Sequence, residues 1–395
     1  MGTRGTQTAI RVGAGLAVFV GVGIVGVVGL FGIDPERAID SWAIVTLVAI
    51  PAGILTYAAI EYAQTGRFDS ITRQFDTRTV VLMPVAMALN IVLGTAVASA
   101  LKIPIYLDSI GTILVGALAG PLAGALTGFL TNVVWTYLAP PPFGSPFAAP
   151  FALVAVVIGL LAGTFARWGW LRPRRGASNR ELAIGGVAAI GLVGVMAVLA
   201  VSGWSAIGQD VRVASESGDS LLLVLGWVAL ALVLGTAAGL VALLYWRRDL
   251  TAAYVVAAGV VTGIVAAFIS APIAASLFGG VMGSGTDFLV AAFRQAGADL
   301  RSAVLGQALI SDPIDKVVTY FVVYLILGAM SVRVLARFPQ GEYLVPRPDD
   351  PKADDAPDEP GDARAETGVV PADPDGSGPE PDPGTGAPTR SEVRR

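Results

Sequence analysis

The stretch VVLMPVAMALNIVLGTAVASALKIPIYLDSIGTILVGALAGPLAGALTGFLTNVVWTY, residues 80–137, decides how this chain folds. It contains apolar runs of the length that helices need in a bilayer, which is about 20 residues for each crossing. Polar residues interrupt these runs at Asn90, Lys102, Asp108 and Asn132. Because a polar group inside a membrane is costly unless it has a partner, these side chains predict a site within a helical bundle.

The whole chain has the composition of a membrane protein. Its 395 residues are 54% hydrophobic and 14% charged, whereas a soluble protein of this length would be about a quarter charged. Apolar runs of spanning length recur along most of the sequence, and the alternating segments of a transmembrane β-barrel are absent. The sequence therefore predicts an all-α polytopic membrane protein with about ten transmembrane helices.

The residue types that the chain lacks exclude several kinds of chemistry. It has no cysteine and no histidine, which removes thiolate nucleophiles, the commonest general base and the commonest metal ligands. None of its lysines, Lys102, Lys316 and Lys352, completes a GxxxxGK[ST] phosphate loop. We therefore expect no catalytic residues, no metal and no cofactor, and any ATP hydrolysis that drives this protein must come from another chain.

The hydropathy pattern divides the chain into five segments. These are two N-terminal transmembrane helices with a basic interfacial segment (1–79), four helices (80–180), an inserted helix pair (181–250), two helices with an outer loop (251–338) and a tail (339–395). The tail is acidic and rich in proline and cannot bury enough apolar surface to fold alone. We therefore predict that it is disordered.

Positive charge predicts the orientation in the membrane. Basic loops occur at 64–79, 167–180, 247–248 and 333–337, and about ten spans place all four on one side. Because cytoplasmic loops carry the excess of Lys and Arg, we expect a multi-pass protein of the cell membrane with both termini in the cytoplasm.

A ladder of glycines at every fourth residue is a candidate helix-packing face. Its members are Gly116, Gly120, Gly124 and Gly128. A bare stripe of this kind lets a second helix approach closely. We predict that it docks a partner subunit, and packing within the chain is the alternative.

The segment KIPIYLD, residues 102–108, interrupts the apolar stretch and is the candidate gate of the site. Pro104 breaks the helical pattern, and Tyr106 and Asp108 follow it with polar groups. A short outer loop of this kind could close over a ligand, although a plain turn explains the same residues.

Two asparagines and a tryptophan are further candidates. Asn90 lies in the middle of a span, where an unbonded amide is costly, so it must face protein or a cavity. Asn132 lies toward the outer end of its helix and is followed by Trp135, a pairing that suits a flat polar ligand. An interfacial aromatic belt is the alternative explanation of Trp135.

The motif DPIDK, residues 312–316, opens the last predicted helix, because proline is favourable in a first turn. Asp312 could cap this helix, and Asp315 and Lys316 could neutralise each other. If the helix starts inside a cavity, the same charges would face a substrate. The predicted substrate-binding residues are therefore Asn90, Tyr106, Asp108, Asn132, Trp135, Asp312, Asp315 and Lys316.

Four motifs together resemble the substrate-binding S components of energy-coupling factor (ECF) transporters. They are NIVLG (90–94), IPIYLDSIGTILVGALAGPLAGALTGFLTN (103–132), ISAPIAASLFGG (269–280) and SDPIDK (311–316). The resemblance covers roughly residues 79–338, apart from the helix pair at 181–246.

This resemblance implies a core of six helices, which here would be 80–101, 105–118, 119–138, 147–166, 251–278 and 313–336. It implies a vitamin or similar small molecule bound near the outer face, with loop 102–108 as the gate. A separate transmembrane T component and two ATPase subunits would drive uptake by toppling the S component in the lipid bilayer. The chain itself would be non-enzymatic, and no nucleic-acid partner is expected.

Two other functions remain open at this point. A multi-helix membrane sensor with a ligand-input role would share the same features, although the tail carries no folded output domain. A membrane-embedded enzyme would need Asp108, Asp312 and Asp315 to pair across the outer face, and the missing histidine and cysteine disfavour it.

Overall fold

A computed structural model describes residues 37–97, 105–174, 234–244 and 248–346, with scattered positions at 7–25 and between 180 and 246. Most of the first predicted span, most of the inserted pair, Lys102–Pro104 of the predicted gate and residues 347–395 lie outside the described residues. The described part is all-helical and contains no strand. Its longer helices are α1 (Arg37–Thr65), α2 (Thr77–Thr95), α3 (Ile110–Ala119), α4 (Pro121–Tyr137), α5 (Ala152–Arg167), α6 (Thr251–Leu277), α7 (Asp287–Gln295) and α8 (Leu300–Ala329).

In the part of the chain that the structure describes, three segments are long and apolar enough to cross a membrane. They are Thr77–Thr95, Ala149–Arg167 and Thr251–Leu277, in which α5 is preceded by one turn of 3-10 helix. The 30-residue α8 is long enough to span, but it carries Asp312, Asp315 and Lys316 near its middle. Charges at that depth are tolerated only when they face protein or a cavity.

Helix α3 is short because it lies inside the protein rather than across it. Its ten residues, Ile110–Ala119, are all buried, and at about 1.5 Å per residue they cover only half of a bilayer. Helices α2, α4, α5 and α8 pack around it. Gly120 then reverses the chain into α4 with a φ of 131°, a conformation that is readily available only to glycine.

The glycine ladder packs within the chain, against α5. A Cβ at position 124 would lie 2.6 Å from the Cα of Gly116 and 2.9 Å from the carbonyl oxygen of Gly159. A Cβ at position 128 would lie 2.6 Å from the carbonyl oxygen of Ala155. Gly120 is in turn covered by the side chain of Gln74. The structure thus gives these four glycines an intramolecular role in place of the predicted docking of a partner.

Helices α6 and α8 form the most extensive helix pair of the bundle. Gly259 of α6 lies against Val317 of α8, and Gly263 lies against Pro313. The hydroxyl groups of Thr262 and Tyr320, both buried, are 3.1 Å apart between the same helices. Small residues on α6 therefore let α8 approach closely at the level of its charged side chains.

Pro313 lies inside α8, and the prediction that it starts the last helix is wrong. The helix begins at Leu300, where Asp299 is the N-cap and accepts hydrogen bonds from the backbone N–H (3.0 Å) and hydroxyl (2.8 Å) of Ser302. These hydrogen bonds lower the pKa of Asp299, so the cap keeps its charged form well below neutral pH. Asp312 consequently has no capping role and lies in the middle of the helix.

Residues that were assigned to the disordered tail pack against the bundle. After α8, a short helix at Val332–Leu335 and a 3-10 turn at Gly341–Tyr343 continue the chain. The backbone N–H of Gln340 donates to the carbonyl oxygen of Leu118, at 2.9 Å, and Leu344 is only 2% exposed. The ordered part therefore extends at least to Pro346, beyond the predicted boundary at 339.

We predict that Gly124→Ala lowers the stability of the protein, because its Cβ has no space between α3 and α5. The expected loss is about 1–3 kcal/mol, the usual cost of overpacking, and thermal unfolding in detergent measures it. Gly328→Ala is the matched control, since Gly328 lies in α8 with no atom within 4 Å of its added Cβ. Equal melting temperatures for the two variants would contradict this packing.

We predict that two truncations behave differently. Ending the chain after Pro346 should leave the melting temperature unchanged, whereas ending it after Pro339 should lower it. The shorter chain loses the Gln340 hydrogen bond and the burial of Leu344, and burial of a leucine is worth about 1.5–3 kcal/mol. Differential scanning fluorimetry of both chains makes the comparison, and identical melting curves would count against the packed segment.

Candidate ligand site

A cavity opens between α4, α5, α6 and α8, beside the loop that leads into α3. Its volume is about 140 Å³, which is room for about five waters at about 30 Å³ each. Its walls combine small apolar residues of α5 and α6, aromatic rings and a few polar side chains. That composition is typical of a site for a small organic molecule.

Lys316 provides the buried positive charge of the site. Its Nζ forms a very short ion pair with Asp315, donates to Ser109 Oγ at 2.8 Å and lies 3.5 Å from Asp108 Oδ1. Lys316 is 4% exposed, whereas the side chain of Asp108 is 32% exposed. A buried ammonium needs such compensation, because removing it from water costs several kcal/mol.

Asp315 fixes the loop that lies over the site. Its Oδ1 accepts hydrogen bonds from the backbone N–H groups of Leu107, at 2.7 Å, and Tyr106, at 3.2 Å. Leu107 has a φ of 51°, a left-handed conformation that costs about 1–2 kcal/mol in a residue other than glycine. The two hydrogen bonds to a buried carboxylate stabilise that conformation and hold residues 105–109 in place.

Asp312 lies one turn before Lys316 and faces the cavity from α8. Its Oδ2 accepts a hydrogen bond from Ser270 of α6 at 3.1 Å, and its Oδ1 accepts one from Ser311 at 3.3 Å. Gln307, one further turn back along α8, donates to Ser311. Asp312 and Gln307 are 5% and 3% exposed and both line the cavity.

Aromatic side chains form another wall. The indole Nε1 of Trp135 donates to the carbonyl oxygen of Phe143 at 2.7 Å, and its ring packs over Gly94, where a Cβ would collide with it. Phe147 and Phe151 line the cavity as well. The hydroxyl group of Tyr106 lies 3.1 Å from that of Thr286, so its ring is also fixed at the cavity.

Six of the eight predicted substrate-binding residues line this cavity. They are Tyr106, Asp108, Asn132, Trp135, Asp312 and Lys316. They come from the loop before α3, from α4 and from α8, which are far apart in the sequence. The buried carboxylate of Asp315 does not line the cavity, and its role is to pair with Lys316 and to hold the loop.

Asn90 does not line the cavity either, and it cross-links three helices instead. Its Nδ2 donates to Thr112 (2.9 Å) and Thr131 (3.2 Å), while its Oδ1 accepts from the backbone N–H of Gly111 at 2.7 Å. The side chain is fully buried, and these bonds occupy both ends of its amide. Its predicted role in substrate binding is therefore replaced by a structural one.

Several residues of the cavity wall are not among those that the sequence predicts. Gln307 and Ser270 supply polar atoms, and Phe147 and Phe151 supply rings. Gln307 precedes Pro313, the predicted start of the last helix, so the sequence places it in the outer loop rather than on that helix. The spacing of Gln307, Ser311 and Asp312 on one helix could have revealed that they share a face.

Comparisons with models of known families, with characterised proteins and with solved structures find no match for this chain. The resemblance to ECF S components therefore stays a prediction from its motifs.

We predict that Lys316→Met destabilises the protein by about 3–5 kcal/mol, because Asp315 would remain buried without its cation. The double variant Asp315→Asn/Lys316→Met should recover part of this loss, since it buries no unpaired charge. Chemical or thermal unfolding of the single and double variants measures the coupling, with Arg301→Met on the exposed side of α8 as control. Additive effects of the two substitutions would show that this pair is not coupled.

Proposed function

We propose that this protein is the substrate-binding subunit of an ECF-type importer, which captures a vitamin-like small molecule for uptake by partner subunits. One observation carries the proposal: residues that were selected from the sequence motifs as a substrate site meet at one cavity. Tyr106, Asp108 and Asn132 reach it from the first half of the chain, and Asp312 and Lys316 reach it from α8.

The positions of the basic loops support an arrangement with the cavity at the outer side. Arg78 donates to the backbone oxygen of Arg337 at 2.9 Å, so the first and last basic loops meet. The backbone N–H of Arg174 donates to Asp249 at 3.2 Å, so the second basic loop lies beside the third. Such a gathering of positive charge is typical of a cytoplasmic face.

In the proposed arrangement about ten helices cross the membrane, six of them form the core, and both termini are cytoplasmic. The ligand enters the cavity from outside and is covered by the loop before α3. A T component and two ATPase subunits supply the motive force, which agrees with the lack of a phosphate loop in this chain. The protein binds and releases its ligand without changing it.

Isolation of the bound molecule tests this function most directly. The full chain, purified from membranes in mild detergent, should carry a small molecule that native mass spectrometry detects. Co-expression with candidate T and ATPase subunits should give a stable complex. If no small molecule accompanies the protein or binds it at micromolar concentration, and no ATPase subunit co-purifies, the proposal fails.

We predict that Ala274→Leu reduces the amount of co-purified small molecule about tenfold. Ala274 lines the cavity and is 4% exposed, so the larger side chain occupies ligand space. Val261→Leu is the control, because Val261 lies on the same helix with 40% of its surface exposed. Melting temperatures of both variants show whether the fold is kept. Full occupancy in a folded Ala274→Leu variant would place the ligand elsewhere.

A further inference from the structure

We infer that the ligand of this cavity is a cation, namely a compact molecule with a flat apolar body and a protonated nitrogen that carries N–H groups. The inference rests on the proposed function, because it names the chemical class of the molecule that the cavity captures. It follows from which hydrogen-bonding atoms of the wall are already used and which are left.

Each side-chain nitrogen group of the cavity wall already contacts at least one partner within the protein. The ammonium of Lys316 has three protons and three partners, Asp315, Ser109 and Asp108. Trp135 Nε1 donates to Phe143, and Asn132 Nδ2 donates to the carbonyl oxygen of Gly128 at 3.0 Å. To bind an anionic ligand, the ammonium of Lys316 would have to leave one of these internal acceptors, and a buried carboxylate or hydroxyl group would lose its partner.

The acceptors of the same wall are in surplus. Asn132 is 7% exposed and Gln307 is 3% exposed, and among the described residues no donor reaches Asn132 Oδ1 or Gln307 Oε1. Both oxygens are open to the cavity, where an N–H group of a ligand can donate to them. Each of them lines the cavity, on α4 and on α8 respectively.

The charged side chains at the cavity also favour a cationic ligand, because carboxylates outnumber cationic groups there. Asp315 and Lys316 form an ion pair, and both hold the loop before α3 in place through hydrogen bonds to it. Asp108 and Asp312 line the cavity from the loop and from α8. Asp108 shares the ammonium of Lys316 with Asp315, and Asp312 accepts hydrogen bonds from hydroxyl groups only. Among the described residues that line the cavity, Lys316 is the only cationic side chain. A protonated nitrogen of the ligand can donate to these carboxylates, and charge-assisted hydrogen bonds of that kind are among the strongest available.

The other residues of the cavity wall indicate the shape and polarity of the rest of the ligand. Trp135, Phe147 and Phe151 line the same cavity as the acidic groups, and aromatic faces attract both flat rings and cations. A cavity volume of about 140 Å³ limits the molecule to a compact size. An amidinium, a protonated aminoheterocycle or a similar flat nitrogen cation fits these limits.

Three matched probes test the inference: benzamidinium, benzamide and benzoate, which share one ring and differ in charge. The full-length protein in detergent, dialysed to remove bound molecules, is titrated with each probe by calorimetry. Benzamidinium should bind with a Kd of roughly 1–10 mM, as expected for a fragment of about nine non-hydrogen atoms. Benzamide and benzoate should bind at least about tenfold more weakly.

Substitution of two acidic residues tests whether the cation binds in the cavity. Asp312→Asn and Asp108→Asn should each weaken benzamidinium binding about tenfold or more, and they keep the shape of the side chain. Asp108 is the less buried of the two, so its variant remains informative if Asp312→Asn does not fold. Glu342→Gln removes an exposed acid that does not line the cavity, and it should bind the probe as the parent does.

The outcomes separate this inference from the proposed function. Preference for benzoate or benzamide, no benzamidinium binding at about 10 mM, or unchanged binding in both folded acidic variants overturns the cationic ligand. If the protein still co-purifies with a neutral or anionic small molecule, the capture function stands without it. If no molecule co-purifies and no probe binds, both proposals fail together.

Discussion

The buried ion pair between Asp315 and Lys316 is the interaction on which this structure depends. A lone charge inside an apolar bundle would cost several kcal/mol, so each partner requires the other. The pair also joins two distant parts of the chain, because Asp315 binds the backbone of Tyr106 and Leu107 and Lys316 binds Ser109. The position of the loop before α3 is thereby tied to the middle of α8, and the cavity lies where the two meet.

Close packing between helices brings together the elements that carry these polar groups. The ladder from Gly116 to Gly128 meets Gly159 and Ala155 of α5, and Gly263 of α6 meets Pro313 of α8. In lipid, where helices gain little from the hydrophobic effect, such contacts and buried hydrogen bonds hold a bundle together. The fully bonded amide of Asn90 adds a polar cross-link among α2, α3 and α4.

The sequence predicted the helical class and most of the cavity's polar residues, because a polar side chain in an apolar run has few explanations. It did not distinguish Asn90 from Asn132, since hydropathy cannot tell a side chain bonded to neighbouring helices from one that faces a cavity. For the same reason, hydropathy could not decide whether the glycine ladder that starts at Gly116 docks a partner or packs within the chain. Pro313 misled the placement of α8, because a proline suits a first turn but is also tolerated within a helix when tight packing with a neighbour compensates for the lost hydrogen bond.

The polar groups of the bundle therefore divide into two sets with different consequences for binding. Asn90, Asp315 and Lys316 are satisfied inside the protein, so the fold does not need a ligand to compensate them. Asp108 and Asp312 keep acceptor capacity at the cavity. A site whose supporting charges are already paired is organised before the ligand arrives, and little binding free energy is lost in ordering it. Binding free energy then remains available for selecting the ligand.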